Sequence, residues 1–207
     1  MPATHFSGPV IADGGFRGNN CPFWSPAPIC FKTGMYSSPP VTSVSTRALT
    51  NGDARFLPAY HDRDLFFDRI AYEQTVAGTD ASSVMRLGLY ADNGACAPGS
   101  LILDAGTVPC GTGSGTGSKE IVINLRLPPG LYWWVGVAQA VAATGPTIRV
   151  VSSMGAPQNP TSVPANVLLY LNWQVTGLTG PLPAAITPAP TAQVIGAVRL
   201  YLRPIAA

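Results

Sequence analysis

A few short stretches carry side chains of the kind that do chemistry. The run Gly111 to Ser118, GTGSGTGS, has the composition of a phosphate cradle. Such a cradle needs glycines leading into a helix N-terminus with Lys and then Ser or Thr at its end. Here Ser118 precedes Lys119 and a strand pattern follows, so the segment reads as a flexible hairpin loop. Asp92-Asn93-Gly94 opens like a calcium loop, but the later acidic ligands are missing, and Asp or Asn beside Gly is ordinary turn chemistry. His61-Asp62-Arg63-Asp64 sets a base beside carboxylates without a serine or cysteine in a nucleophile elbow, and reads as a surface loop. Asp68 lies inside an apolar strand pattern. Buried alone, it would be a carboxyl of raised pKa and a catalytic candidate; the competing reading is satisfaction by backbone donors or by an arginine on the next strand. Its neighbour Arg69 is no natural partner, because adjacent strand residues point to opposite faces. Glycoside hydrolysis would need a second acid across a cleft, and the ten acidic residues offer no evident pair. Trp133 and Trp134 complete the set: one faces each side of a sheet, where an exposed ring could stack on a sugar and a buried one belongs to a core or subunit interface. The expectation is a chain with no catalytic residue, no cofactor and no metal site.

The cysteines are Cys21, Cys30, Cys96 and Cys110, and the histidines His5 and His61. No C-x-x-C pair is present, which argues against zinc. Cytosolic synthesis favours free thiols. Two disulfides remain open for oxidation after release from a cell: Cys96 with Cys110 across the ends of one strand, and Cys21 with Cys30 around a proline-rich loop.

The elements that must position these residues are strands. The pattern is organised around Leu131-Tyr132-Trp133-Trp134-Val135-Gly136-Val137-Ala138, which follows the turn Pro128-Pro129-Gly130. This run is apolar on both faces and rich in aromatic and β-branched residues, so it reads as a central strand covered on each side. Arg55 to Tyr60 reads as a short edge strand, because Pro58 cannot donate to a ladder. In Leu65 to Tyr72, simple alternation puts Phe66, Asp68, Ile70 and Tyr72 on one face and Phe67, Arg69 and Ala71 on the other. Further strands are expected at Val84–Tyr90, Leu101–Val108, Lys119–Leu125, Thr147–Val151, Val167–Val175 and Ala197–Arg203, the last with Arg199, Tyr201 and Arg203 on one face. No amphipathic helical window, internal repeat or second domain is visible. Short strands with regular turn signals predict an all-β, antiparallel β-sandwich, jelly-roll-like, over residues 51–207. Residues 1–50 are too rich in Pro, Gly, Ser and Asn for regular structure. They carry Phe6, Phe16, Phe23, Trp24, Phe31 and Tyr36, more aromatics than a disordered tail holds. This segment is expected to be a long extended N-terminal arm whose aromatics fill pockets on its own fold or on a partner subunit.

Hydrophobic residues make up 46% of the 207-residue chain and charged residues 11%, against about 25% charged in an ordinary domain. So neutral a surface favours association. The net charge is +2 and the arginines are scattered, which excludes the clustered footprint of a nucleic-acid binder. The opening MPATHFSGPVIADGG lacks the basic and apolar regions of a secretory signal, and no apolar run approaches a membrane span. A product of the cytoplasm with no membrane partner is expected.

Several stretches resemble a β-sandwich module of tailed-bacteriophage structural proteins. They are Phe67-Asp68-Arg69-Ile70, Arg86-Leu87-Gly88-Leu89-Tyr90-Ala91-Asp92-Asn93-Gly94, Pro98-Gly99, Leu103-Asp104-Ala105-Gly106-Thr107 and Pro129-Gly130-Leu131-Tyr132-Trp133. The resemblance covers Ala54 to Val141, with Val198 to Arg203 also similar, and Phe6-Ser7-Gly8-Pro9-Val10 resembles the start of small proteins encoded among phage head genes. The cysteines and the aromatic arm depart from the module. The resemblance implies a non-enzymatic virion protein, either a capsid decoration or cement protein or, since tail fibres use the module too, a tail-fibre or baseplate part that binds a host glycan. A β-sandwich hydrolase is the third alternative. The expected partners are the major capsid protein and further copies of the chain, as a homotrimer, in the virion.

Overall fold

The computed structural model describes residues 32–39, 41, 43–153, 172–186, 190–193 and 196–206, and every described element is a strand. These are β1 (Ser43–Ala48), β2 (Ala54–His61), β3 (Leu65–Val76), β4 (Val84–Asp92), β5 (Pro98–Pro109), β6 (Gly117–Leu127), β7 (Gly130–Gln139), β8 (Thr147–Ser153), β9 (Asn172–Val175), β10 (Thr191–Gln193), β11 (Ala197–Val198) and β12 (Leu200–Ile205). They form two antiparallel sheets. In the first, β1 pairs with β8, β8 with the end of β3, β3 with both β12 and β6, and β11 with β8. The second has the order β10-β9-β2-β7-β4-β5. The chain changes sheet at nearly every turn from β1 to β9, the β4–β5 hairpin excepted, which gives the sandwich its jelly-roll-like character.

β7 is the central strand that its two-sided apolar run predicts. It pairs with β2 from Gly130 to Gly136 and with β4 from Tyr132 to Gln139. Tyr132, Trp134 and Ala138 enter the core between the sheets; Trp133, Val135 and Val137 lie on the other face in a second apolar cluster with Phe56, Tyr90, Leu182 and Ile186. The inner core is completed by β3, β6 and β12 through Phe67, Ile70, Tyr72, Leu125, Leu127, Leu200 and Leu202.

Three expectations about the strands are corrected. β2 is not an edge strand, since β9 pairs with it on the side away from β7. That pairing covers only Ala54 to Phe56, so Pro58 falls beyond it and its missing N–H breaks no bond there. A strand also lies within the region expected to be arm: β1, Ser-Val-Ser-Thr-Arg-Ala, pairs with β8 along its whole length. It hides in the sequence because it is largely exposed and shows no apolar alternation. Ahead of it, Ser37 and Leu202 exchange both backbone hydrogen bonds at 2.9 Å, so residues near Ser37 run along β12. Most informative is β3. Its ladder is irregular between Phe67 and Arg69 against β6, and opposite it between Arg203 and Pro204 on β12. Against β12 the extra residue is Asp68; against β6 the surplus lies on β6, where Ile123 and Asn124 stand opposite Asp68. A bulge resets the period, so Phe67, Ile70 and Tyr72 all face the core, while Phe66 and both Asp68 and Arg69 face outward.

His61 ends β2 fully buried, not in a surface loop. Its ring packs edge-on against Phe67 and Tyr132, at 5.7 and 5.3 Å between centroids, and tilted against Trp134. Burial pushes its pKa down to about 4 from 6.5, against the opposing charge of Asp62. The folded state therefore holds His61 neutral while the unfolded chain protonates it. Stability from this site is complete above pH 6.5 and is lost as pH falls toward 4, by about 3 kcal/mol in all. Urea unfolding across that window is expected to show a shallower acid loss in His61→Phe than in the wild type. Equal pH slopes would mean that the imidazole is not held neutral.

Candidate functional site

Two outer surfaces remain, one on each sheet, and the chain treats them differently. Across the second sheet lies a strap, residues 176–186, fixed by polar residues of the strands beneath. Gln139, the last residue of β7, donates to the carbonyls of Leu178 and Gly180 at 3.1 and 2.8 Å. Tyr90 donates its hydroxyl to the carbonyl of Pro183 at 2.8 Å. Asp104 accepts from the backbone of Leu182 and of Gly106, each at 3.0 Å, and from Arg86 at 2.8 and 2.9 Å. Burial pushes the Asp104 carboxyl up, but these two backbone donors and Arg86 outweigh it and hold it below the ordinary range. Leu182 then sits over Gly88, where an added Cβ would fall 2.2 Å from its Cδ1 and 2.5 Å from the Leu103 carbonyl oxygen. Of the two tryptophans, Trp133 is buried beneath this cover and Trp134 between the sheets, so neither ring is exposed for stacking on a sugar.

The first sheet carries no such strap among the described residues. Its outer face is a lattice of arginines, acids and tyrosines. The Asp68 bulge aims its carboxylate at Arg203 on β12, which donates from Nε at 2.8 Å and Nη2 at 2.5 Å. Arg69 stands 3.5 Å from Asp68 on one side and 3.5 Å from Glu120 of β6 on the other. Tyr36 lies across them, its hydroxyl donating to Glu120 and its ring 5.9 Å from the Arg203 guanidinium. Farther along, Arg149 pairs with Glu73 at 3.1 Å and Arg199 stacks on Tyr201 at 5.1 Å. The expected shared face of Arg199, Tyr201 and Arg203 is present, since Leu200 and Leu202 turn inward between them. Hydrogen bonding to Arg203 holds the Asp68 carboxyl below its usual pKa, and the same bond raises Arg203. Burial and the bond to Glu120 push the Tyr36 phenol up to about 12. These directions describe ions kept charged and paired. A carboxyl raised for proton donation, the catalytic reading of Asp68, is the opposite of what the bulge creates.

The other candidates resolve in the same way. Asp53 pairs with Arg55 at 3.2 Å, Asp62 with Arg63 at 2.9 Å and Asp64 with Arg126 at 3.3 Å. Asp80 accepts the backbone N–H groups of Ala142 and Ala143. Asp92 and Asn93 accept from Gly94 and Ala95 as turn residues do, and no group of His, Cys, Asp and Glu among the described residues is arranged for a metal ion. The glycine-rich loop leads into β6, and two of its residues accept from Gln74, Ser114 Oγ at 2.8 Å and the Gly115 carbonyl at 2.6 Å. Cys96 and Cys110 are free thiols at opposite ends of β5, a strand long enough to hold them about 35 Å apart, so the disulfide between them that the sequence leaves open is not made. Cys21, Cys30, Phe6, Phe16, Phe23, Trp24 and Phe31 lie outside the described residues; Tyr36 is the one aromatic of the expected arm that lies within them. Gln139, Asp104, Gln74 and the Asp53–Arg55 pair escape sequence reading. The first three are lone polar residues in or beside apolar runs with partners remote in sequence, and Asp53 is also bound by the distant Gln174. Comparison with protein-family models, with curated proteins and with solved structures finds no match to this chain.

Gln139→Ala leaves two strap carbonyls without their donor and is expected to cost about 1–3 kcal/mol in urea unfolding. Asp104→Asn keeps an acceptor for Leu182 but removes the charge that Arg86 binds. It should raise amide exchange in residues 178–186 several-fold and leave β7 protected; uniform loosening of both would show that the strap is not a separate unit.

Proposed function

We propose that this chain is a non-enzymatic structural protein of a tailed-bacteriophage virion, a capsid decoration or cement protein that works through contacts with further copies of itself and with the shell. The phage side of this reading rests on the sequence resemblance of Ala54–Val141. The observation that carries the structural role is the disposition of charge. The chain has few ionic groups, and every acid among the described residues is bound within the molecule, seven of them by arginines. Charge held in this way gives no long-range field to keep copies apart. The first sheet's outer face adds exposed apolar surface at Val122, 70% accessible, with Val44 and Ile205 near its margins. Burial of such surface between subunits would hold a shell against internal pressure. A homotrimer is the assembly this reading expects.

The glycan-binding alternative, which needs an exposed aromatic, loses Trp133 and Trp134, both of which lie inside, and keeps Tyr36. Particles purified from cells that make the chain are expected to carry it in constant ratio to the major capsid protein. Removal of residues 1–31, which leaves every described strand in place, should lower incorporation at least tenfold by the arm-anchoring reading, an estimate of about 1.4 kcal/mol in binding. Unchanged incorporation would reject the arm as the anchor, and a chain found only free of particles would reject the virion role.

A further inference from the structure

The sequence contains two Asn-Gly pairs; in both the Asn Oδ1 accepts a peptide N–H, from Val141 at Asn51 (3.1 Å) and from Ala95 at Asn93, and the two sites differ in the acceptor that the glycine N–H faces. Asn-Gly is the dipeptide whose backbone nitrogen can most easily reach its own side chain, since glycine has no Cβ in the way. At Asn51-Gly52 the glycine is buried against the backbone of Gly177 and Leu178, and its N–H donates to the Ala138 carbonyl at 2.8 Å. A peptide carbonyl takes no proton at neutral pH, so this nitrogen is held as an inert amide.

At Asn93-Gly94 both residues are exposed in the β4–β5 hairpin, with open space around Gly94. The Gly94 N–H donates to Asp92 Oδ2 at 2.8 Å, and the Ala95 N–H donates to Asn93 Oδ1 at 2.8 Å. The nitrogen that would attack thus points its proton at a carboxylate. The oxygen on which negative charge would develop is already held by a peptide donor. The turn is itself anchored: Trp133 Nε1 donates to Asp92 Oδ1 at 2.9 Å, and the Asn93 N–H donates to the Ala97 carbonyl at 2.9 Å.

We propose that Asn93 is a self-modification site at which the fold promotes succinimide formation, with Asp92 as the base and Ala95 N–H as the oxyanion donor. The Gly94 nitrogen attacks Cγ of Asn93 and its proton passes to Asp92. The new N–Cγ bond forms, the Cγ–Nδ2 bond breaks, and the proton leaves with Nδ2 as ammonia, which restores the Asp92 carboxylate. Water then opens one of the two imide C–N bonds and leaves aspartate or isoaspartate at position 93. No oxidant or cofactor enters. The product places a second carboxylate beside Asp92, at the residue that fastens Trp133, so the change reaches the outer core of the second sheet.

The test follows the full-length chain through incubation at neutral pH, with peptide mapping that separates amide, imide, aspartate and isoaspartate at both sites. Asn93 is expected to convert while Asn51 persists, and the folded chain should convert at least about tenfold faster than a synthetic peptide of Ala91 to Ala97. Asp92→Asn still accepts from Gly94 and Trp133 but takes no proton, and should convert at Asn93 several-fold more slowly than the wild type. Near-ultraviolet circular dichroism reports whether that variant keeps its fold; if it does not, the wild-type comparison with the peptide decides. Equal rates at Asn93 and Asn51, equal rates in chain and peptide, or an unchanged rate in a folded Asp92→Asn would each overturn the proposal.

Discussion

The covering of both faces of β7 is the constraint on which the other elements depend. A strand that carries Tyr132 and Trp134 on one side and Trp133, Val135 and Val137 on the other cannot leave either side in water. The inner face is closed by the first sheet in the ordinary manner of a sandwich. The outer face is closed by irregular backbone, which brings its own unpaired carbonyls and N–H groups to an apolar surface. Those groups must find partners. That demand explains why Gln139, Asp104 and Tyr90 interrupt apolar strands: each supplies a donor or acceptor to the strap where it crosses. The absent side chain of Gly88 makes room for Leu182 in the same place.

A second constraint is the small number of charges. With so few, the fold sets every acid among the described residues within reach of a partner, and for Asp68, Glu73, Asp104 and Glu120 that partner lies on another strand. The Asp68 bulge is the clearest case. It breaks the alternation of β3 at one residue, and in doing so brings two outward groups, Asp68 and Arg69, between Arg203 and Glu120. Exposed pairs of this kind contribute little stability individually. Their larger effect is on the character of the surface, which is polar at short range and nearly neutral at a distance.

The sequence discloses what depends on period and on turn chemistry. The all-β class and the outward row Arg199, Tyr201 and Arg203 follow from alternation and turn signals, and the centrality of β7 from a run that is apolar on both faces. It misleads where one residue changes the count. Past the bulge every side chain of β3 exchanges faces, and nothing in Leu-Phe-Phe-Asp-Arg-Ile marks the position beforehand. It is silent where exposure removes the pattern, as in β1, and where a partner lies far along the chain. His61 looks like part of a charged loop because three charged residues follow it; its own ring is taken by aromatics from β3 and β7. The polar residues that organise the surfaces are thus the ones that no local rule finds.

The strap makes the domain one-sided. One broad face is sealed by the chain itself, and among the described residues the opposite face keeps its tyrosines, ion pairs and Val122 in the open. A brick with mortar on a single side can be laid over a wall but cannot be stacked on its own kind in the same direction. If the chain coats a shell as proposed, deposition would stop after one layer, with its thickness set by the sandwich and not by the supply of protein.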